Sequence, residues 1–323
     1  MPLPHRPGML EVWDLVAHGS AERPSVWVRH VMSTPRRGAG TRSGWVCVFH
    51  PTEGPRTVRF TPVVADAPLG GEPESGDVCF STGDVRLSPN GGVGRVGGVV
   101  WELETKSVAE PIWVTPRVFW SRPIGIAAEV VTPLVELEGE IRVEGNRVEL
   151  SGLTGSLSHR RSRGHPRLWA RAFAELGKDE YLAVSAVVPG SRILGRNARP
   201  VVFLRWQRRT GEPVVRVPAG ALRFSRRGGA WRVHGPVGAR ELIDVRVGAP
   251  EVHPCENVLG DPSGGCFYSE VTCRASAEVR LMRHREGPLW VVERSWRARG
   301  GVMSETSERG KPSPADVADL AAA

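Results

Sequence analysis

The chain has 323 residues, 40% of them hydrophobic and 24% charged, which fits a globular protein with room for two hydrophobic cores. No run approaches the roughly 20 apolar residues of a membrane-spanning helix, so no integral membrane segment is expected, while peripheral contact with a membrane surface is left open. The formal charge of +8 invites a nucleic-acid reading, but it is almost all arginine (the lysines are Lys106, Lys178 and Lys311) and no nucleic-acid-binding motif accompanies it, so nucleic acid is not expected as a partner. The residues up to Glu11 lack the apolar core of a secretion signal. Five cysteines, an odd number, are read as reduced thiols, and a cytoplasmic location is expected.

In chain order, the dominant signal is short alternating runs rich in Val, Trp and Phe, broken by Gly and Pro. Strands are expected at Glu11 to Val16, Val26 to Met32, Trp45 to Phe49, Thr57 to Val64, Gly98 to Leu103 and Val135 to Leu150. The turn at 144–147 within the last makes it a hairpin. The stretch from Asp66 to Gly76 reads as a surface loop. A second set of strands follows at Tyr181 to Val188, Val201 to Gln207, Ala221 to Ser225, Trp231 to His234, Leu242 to Val247, Cys266 to Met282 and Leu289 to Arg299. Helix is expected only as a turn or two at Leu168 to Leu176 and as a tail at Ala315 to Ala322. The fold class is therefore all-β, with antiparallel strands in two barrels. The expected limits are 1–160 for the first barrel, 161–305 for the second and 306–323 for a flexible tail.

Several motifs fail on context. Gly92 to Gly97 matches the G-x-G-x-x-G spacing of dinucleotide-binding loops, but strand rather than helix follows it, so it reads as a glycine-rich hairpin. There is no G-x-S-x-G elbow, His-Glu-x-x-His or Cys-x-x-Cys, and His159 and His165 lie among Arg160, Arg161, Arg163, Arg167 and Arg171, so neither a metal nor another cofactor is expected.

The segment from Glu136 to Phe173 is the most informative. A strand pair closes with Leu150-Ser-Gly-Leu-Thr-Gly155, a basic stretch follows, and then Gly164-His165-Pro166-Arg167-Leu168-Trp169. Gly8 to Trp13, Val26 to Arg29 and Glu305 to Arg309 agree in order with it. These pieces resemble the lipocalin-like two-domain family of carotenoid 1,2-hydratases, tocopherol cyclase-like and AttH-like proteins. The central His-x-Trp-Gly signature is degenerate: Ser156 and Ser158 stand in place of its His and Trp, and Arg171 in place of the second Trp of a Trp-x-Trp strand.

The resemblance implies two lipocalin-like barrels and a hydrophobic small molecule (isoprenoid, polyene or lipid-like) as partner. It also implies non-redox hydration or cyclisation without a cofactor. A non-catalytic carrier of a lipophilic ligand and a structural protein with filled barrels are the alternatives. Such chemistry needs a proton donor in an apolar cavity, and a carboxyl buried among aromatics would have its pKa raised. The candidate donors are His165, Glu11, Glu305 and Tyr268; the candidate ligand-binding side chains are Trp13, Trp27, Arg29 and Trp169. If the first two strands pair as a hairpin, Arg29 is expected beside Trp13 and diagonal to Glu11. The arginines between Gly155 and Trp169 are expected to loop into solvent, turning Trp169 inward and leaving His165, not His159, able to reach a cavity.

Overall fold

The computed structural model describes residues 8–19, 22–35, 40–52, 55–64, 80–82, 84–88, 90–96, 98–116, 128–163, 165–177, 180–189, 199–208, 213–217, 220–227, 229–248, 254–260, 266–285 and 289–310. None of these residues is helical, so no helix long and apolar enough to cross a membrane is present among them. The segments 66–76 and 315–322 lie outside the described residues.

Two curled antiparallel sheets make up the fold. The first holds β1 (Met9–His18), β2 (Ser25–Thr34), β3 (Thr41–Phe49), β4 (Arg56–Val64), β5 (Phe80–Thr82), β6 (Val85–Ser88), β7 (Gly91–Val96) and β8 (Val99–Ser107), followed by β9 (Ile112–Trp113), β10 (Ala128–Val143), β11 (Asn146–Glu149) and β12 (Leu153–Ser162). Its main order is β4-β3-β2-β1-β12-β10-β8-β7-β6-β5. The second holds β13 (Leu168–Glu175), β14 (Glu180–Val188), β15 (Val201–Arg208), β16 (Pro213–Arg216) and β17 (Arg223–Arg227), then β18 (Ala230–Gly238), β19 (Glu241–Gly248), β20 (Cys255–Gly260), β21 (Cys266–His284) and β22 (Trp290–Gly310). Its order is β16-β15-β14-β13-β22-β21-β19-β18-β17. Among the described residues no ladder joins the two ends of either sheet, so each is a half-barrel.

Apolar side chains gather in three layers. Trp13, Leu15, Val28, Val46, Trp101 and Leu137 fill the hollow of the first sheet, and Ala172, Val184, Leu204, Val245 and Val279 fill that of the second. Between the sheets lie Val12, Trp27, Trp45 and Phe49 from the first and Phe173, Phe203, Phe267 and Met303 from the second. Strands β1, β2, β13 and β14 are therefore covered on both faces, and nearly every residue in them is buried. This is why their sequences carry bulky apolar groups at odd and even positions alike.

Three expectations change. Leu168 to Glu175 is strand β13, not helix, because its alternate residues pack against two different layers: Ala170 and Ala172 inside the second sheet, Phe173 between the sheets. β22 runs past residue 305 to Gly310, so 306–310 belong to the second sheet and not to a tail. Of the basic stretch after Gly155, Arg163 and Arg167 are exposed as expected, but the part before them does not loop out. It continues as β12, paired with β1 on one side and β10 on the other, and Arg160 and Arg161 are buried.

The hairpin at 144–147 is as expected, with Glu144 at φ 50° and Gly145 at φ 84°, the left-handed pair of a type I′ turn. Gly92 to Val96 lies within β7, which pairs with β8. The glycine spacing has a packing cause: Trp101 lies across the strand from Gly94, and a Cβ there would sit 2.0 Å from its ring. Gly94→Ala must displace a buried indole and is expected to lose about 1–3 kcal/mol of stability, read as a lower urea midpoint; an unchanged midpoint would show that the ring can slide aside.

Candidate functional site

Between the sheets, a cluster of charges is buried in the apolar layer. Asp14 on β1 lies opposite Arg29 on β2, one step from where Glu11 and Trp13 were expected to meet it. Arg29 therefore points away from the hollow that holds Trp13, into the inter-sheet layer. It stacks over Trp27 (4.9 Å) and Trp45 (4.6 Å). Its Nε donates to Asp14, and its two terminal nitrogens clasp Glu305 of β22 at 2.6 and 2.7 Å.

Arg171 on β13 donates to Glu305 (2.6 Å), Asp14 (2.5 Å) and Glu129 (2.9 Å). Arg160 contacts Asp14 (3.3 Å) and Glu305 (3.2 Å) and lies 4.3 Å over Trp169. Trp27 Nε1 (2.7 Å) and Ser158 Oγ (3.2 Å) also donate to Asp14, and Ser269 Oγ (2.8 Å) to Glu305. Three carboxylates thus face three guanidiniums, and the formal charge cancels.

That balance decides the chemistry. Burial alone would raise the Glu305 carboxyl, but Arg160, Arg29 and Arg171 together hold it well below its ordinary range, and Asp14 is likewise depressed by Arg29, Arg171 and Arg160 against its burial. Glu305 is ionised at neutral pH and cannot serve as the proton donor expected of it. Burial and the neighbouring Arg171 pull Arg160 down to about 10, so it too stays charged. The cluster joins the sheets; it offers no acid or base.

The hollow of the first sheet is different. Glu11, Trp13, His159 and Arg161 share its inner face, since β1 and β12 pair Glu11 with Arg161 and Trp13 with His159. The His159 ring stacks on Trp13 with centroids 4.6 Å apart, and its Nε2 lies 3.2 Å from Glu11 Oε2. Arg161 Nε is 3.4 Å from the other Glu11 oxygen. Burial lowers the His159 pKa below its ordinary 6.5, opposed by Glu11 and assisted by Arg161 and Arg160. The imidazole is therefore neutral near pH 7, with Nε2 donating to Glu11 and Nδ1 the basic nitrogen.

A half-open cavity of about 100 Å³ lies here, lined by Trp13, Leu87, Val130, Leu157 and His159 among others. A larger one of about 350 Å³ lies elsewhere on this sheet, and its rim includes the polar His50, Arg56, Asn146 and Arg147. Among the described residues, no three His, Cys, Asp or Glu side chains converge as a metal site.

The other expected residues lie elsewhere. His165 is buried between the sheets, stacked on Phe267 (3.7 Å), with Nδ1 donating to the Pro166 carbonyl (2.6 Å). Trp169 turns inward as expected and donates to Ser185 Oγ (2.9 Å). Tyr268 is half-buried, on the opposite face of β21 from Ser269 and the Glu305 cluster. Sequence reasoning missed Asp14, Glu129 and Arg171 as cluster members, and set His159 aside. A signal existed: Asp14, Arg29 and Arg171 each stand next to bulky or small apolar residues in a strand rich in them.

No family model matches the chain. It is 30% identical over 314 residues to the uncharacterised protein Rv0493c of Mycobacterium tuberculosis strain H37Rv, a match that spans 95% of this chain and 89% of the relative. The uncharacterised protein MT0513 of strain CDC 1551 matches to the same extent. The chain belongs to the Rv0493c family. Among solved structures, it resembles an AttH-assigned protein from Nitrosomonas europaea (TM-score 0.59, 11% identity, 92% of each chain). It also resembles kievitone hydratase from Nectria haematococca (TM-score 0.58, 9% identity, 93% of this chain and 89% of that one). CghA with Sch210972 is a third (TM-score 0.55, 10% identity, 94% and 89%). At these identities the likeness establishes the fold of this family member, two lipocalin-like half-barrels.

Proposed function

We propose that the first half-barrel binds a small, mainly apolar molecule against Trp13, Leu87, Val130 and Leu157, and that His159, oriented by Glu11, moves a proton on it. The observation that carries this reading is the His159–Glu11 pair at the wall of an apolar cavity. A neutral imidazole held by a carboxylate and an aromatic stack is a general base in a fixed tautomer. Proton transfer without redox change covers hydration, dehydration and cyclisation of olefinic substrates, and kievitone hydratase shares the fold. A cavity of about 100 Å³ is smaller than the roughly 300 Å³ at which whole-ligand pockets begin, so it takes one end of an elongated molecule. A lipophilic carrier uses the same pocket and differs only in giving His159 no proton to move.

Calorimetric titration with geraniol, a short isoprenoid alcohol, tests the binding. Leu157→Trp, which fills the cavity, is expected to abolish it, and equal binding by both proteins overturns the reading. Deuterium uptake into geraniol from D₂O tests the chemistry. His159→Asn keeps a donor to Glu11 and is expected to retain binding while uptake falls by about 10²–10⁴-fold. Because the base must be neutral, uptake is expected to fall with acidification, with its midpoint below the ordinary imidazole value of 6.5. Binding with no uptake in the wild type favours the carrier.

A further inference from the structure

Where the edge strand β4 of the first sheet meets β20 of the second, two buried thiols share one hydroxyl. Thr57 Oγ1 lies 3.2 Å from Cys47 Sγ and 2.9 Å from Cys255 Sγ. Asn257 Nδ2 donates to the same Cys255 sulfur at 3.1 Å. Arg59, two residues along β4 from Thr57, ties the strands together by donating to the Glu256 carbonyl at 3.1 Å. Cys47 belongs to β3 and Cys255 to β20, so the pair spans the seam between the sheets. Thr57 is half-buried and Arg59 exposed, which leaves Cys255 one side chain from solvent.

We propose that Cys255 is a reactive thiolate and Cys47 its resolving partner, forming a reversible disulfide that staples the two half-barrels when the protein meets hydrogen peroxide. The surroundings of the two sulfurs differ as these roles require. The Cys47 thiol, Thr57 and Asn257 around Cys255, with the charge of Arg59, together bring its pKa to about 7 against its burial. Burial, and the hydrogen bond to Cys255, push the Cys47 thiol well above its ordinary value, so it remains the proton-bearing donor.

In the first step the Cys255 thiolate attacks one peroxide oxygen. The S–O bond forms, the O–O bond breaks, and the departing hydroxide takes a proton to become water. The Cys47 sulfur then displaces the hydroxyl from the sulfenic acid. The S–S bond forms, the S–O bond breaks, and the Cys47 proton leaves with the hydroxide as a second water. Two thiols lose two electrons, and the peroxide is reduced to two waters.

Peptide mapping under non-reducing conditions, after treatment with hydrogen peroxide, tests the proposal in the wild type and in a Cys79→Ser/Cys266→Ser/Cys273→Ser variant that keeps the pair. The expected result is a single cross-linked pair containing Cys47 and Cys255, reversed by dithiothreitol, with an upward shift in Tm of the oxidised protein. In Cys47→Ser the cross-link is expected to vanish while Cys255 accumulates oxygen. Iodoacetamide labelling of Cys255 is expected to rise through about pH 7, not 9. If the three-site variant does not fold, the wild-type map still decides. Cys47 and Cys255 remaining free while other cysteines oxidise, or a Cys47–Cys273 cross-link, overturns the proposal.

Discussion

Glu305→Ala is expected to cost on the order of 3–5 kcal/mol of folding stability, because removing one partner leaves a buried charge uncompensated. Arg29, Arg160 and Arg171 would then face only Asp14 and Glu129, in a buried layer of Trp27, Trp45 and Phe173. Glu305→Gln keeps the side chain's size and part of its hydrogen bonding, so its cost should be smaller. Glu140→Ala is the control: Glu140 pairs with the exposed Arg142 and Arg147 on the surface, and its loss should stay within about 1 kcal/mol. Urea midpoints check all three, and a Glu305→Ala protein as stable as Glu140→Ala would show that the cluster contributes nothing.

The same cluster sets the acid limit. Asp14 and Glu305 are held below their ordinary values of 3.8 and 4.5. A carboxyl depressed in the folded state contributes stability above its unfolded pKa and loses it as pH falls toward the folded value. Stability from these two groups should therefore be level from neutral pH to about pH 5 and drop steeply below about pH 4.

Trp27→Ala is expected to be nearly as damaging, at about 3–5 kcal/mol, since it opens a cavity in a fully buried layer. It also withdraws the 2.7 Å hydrogen bond from indole Nε1 to Asp14. Trp27→Phe separates the two effects. Most of the packing survives, and the lost bond to a charged acceptor should cost about 1.5–3 kcal/mol. Asp14 keeps its three arginines in either variant, so equal losses for Phe and Ala would mean that the hydrogen bond, not the packing, is what Trp27 supplies.

Strand character was legible wherever one face of a strand meets solvent or a hairpin turn closes it. At Glu144–Gly145 the turn residues announce a left-handed pair, and Val99, Trp101 and Leu103 alternate with exposed neighbours. Legibility failed where strands are buried on both faces. Along β1 and β2 the alternation that normally assigns a residue to a side is missing, so Arg29 was placed one position off, beside Trp13 instead of Asp14. On β12 the arginines were read as a solvated loop because density of like charge is costly to bury. The carboxylates that neutralise them (Asp14, Glu305 and Glu11) come from distant parts of the chain, and local sequence does not display that balance. His159 was lost with the loop. Once β12 is a strand, its odd residues must face the hollow, and His159 falls opposite Trp13.

The long reach of the cluster bears on how the chain is made. Arg29 and Glu305 are 276 residues apart, and synthesis runs from the former to the latter. Asp14, Arg29, Glu129, Arg160 and Arg171 all leave the ribosome well before Glu305. Throughout that interval the outer face of the nascent first half shows Trp27, Trp45 and Phe49 around partly matched charges. Such a surface is open to any apolar partner nearby until the second half has been made. Its commitment to the native partner waits until β22 arrives with the last carboxylate.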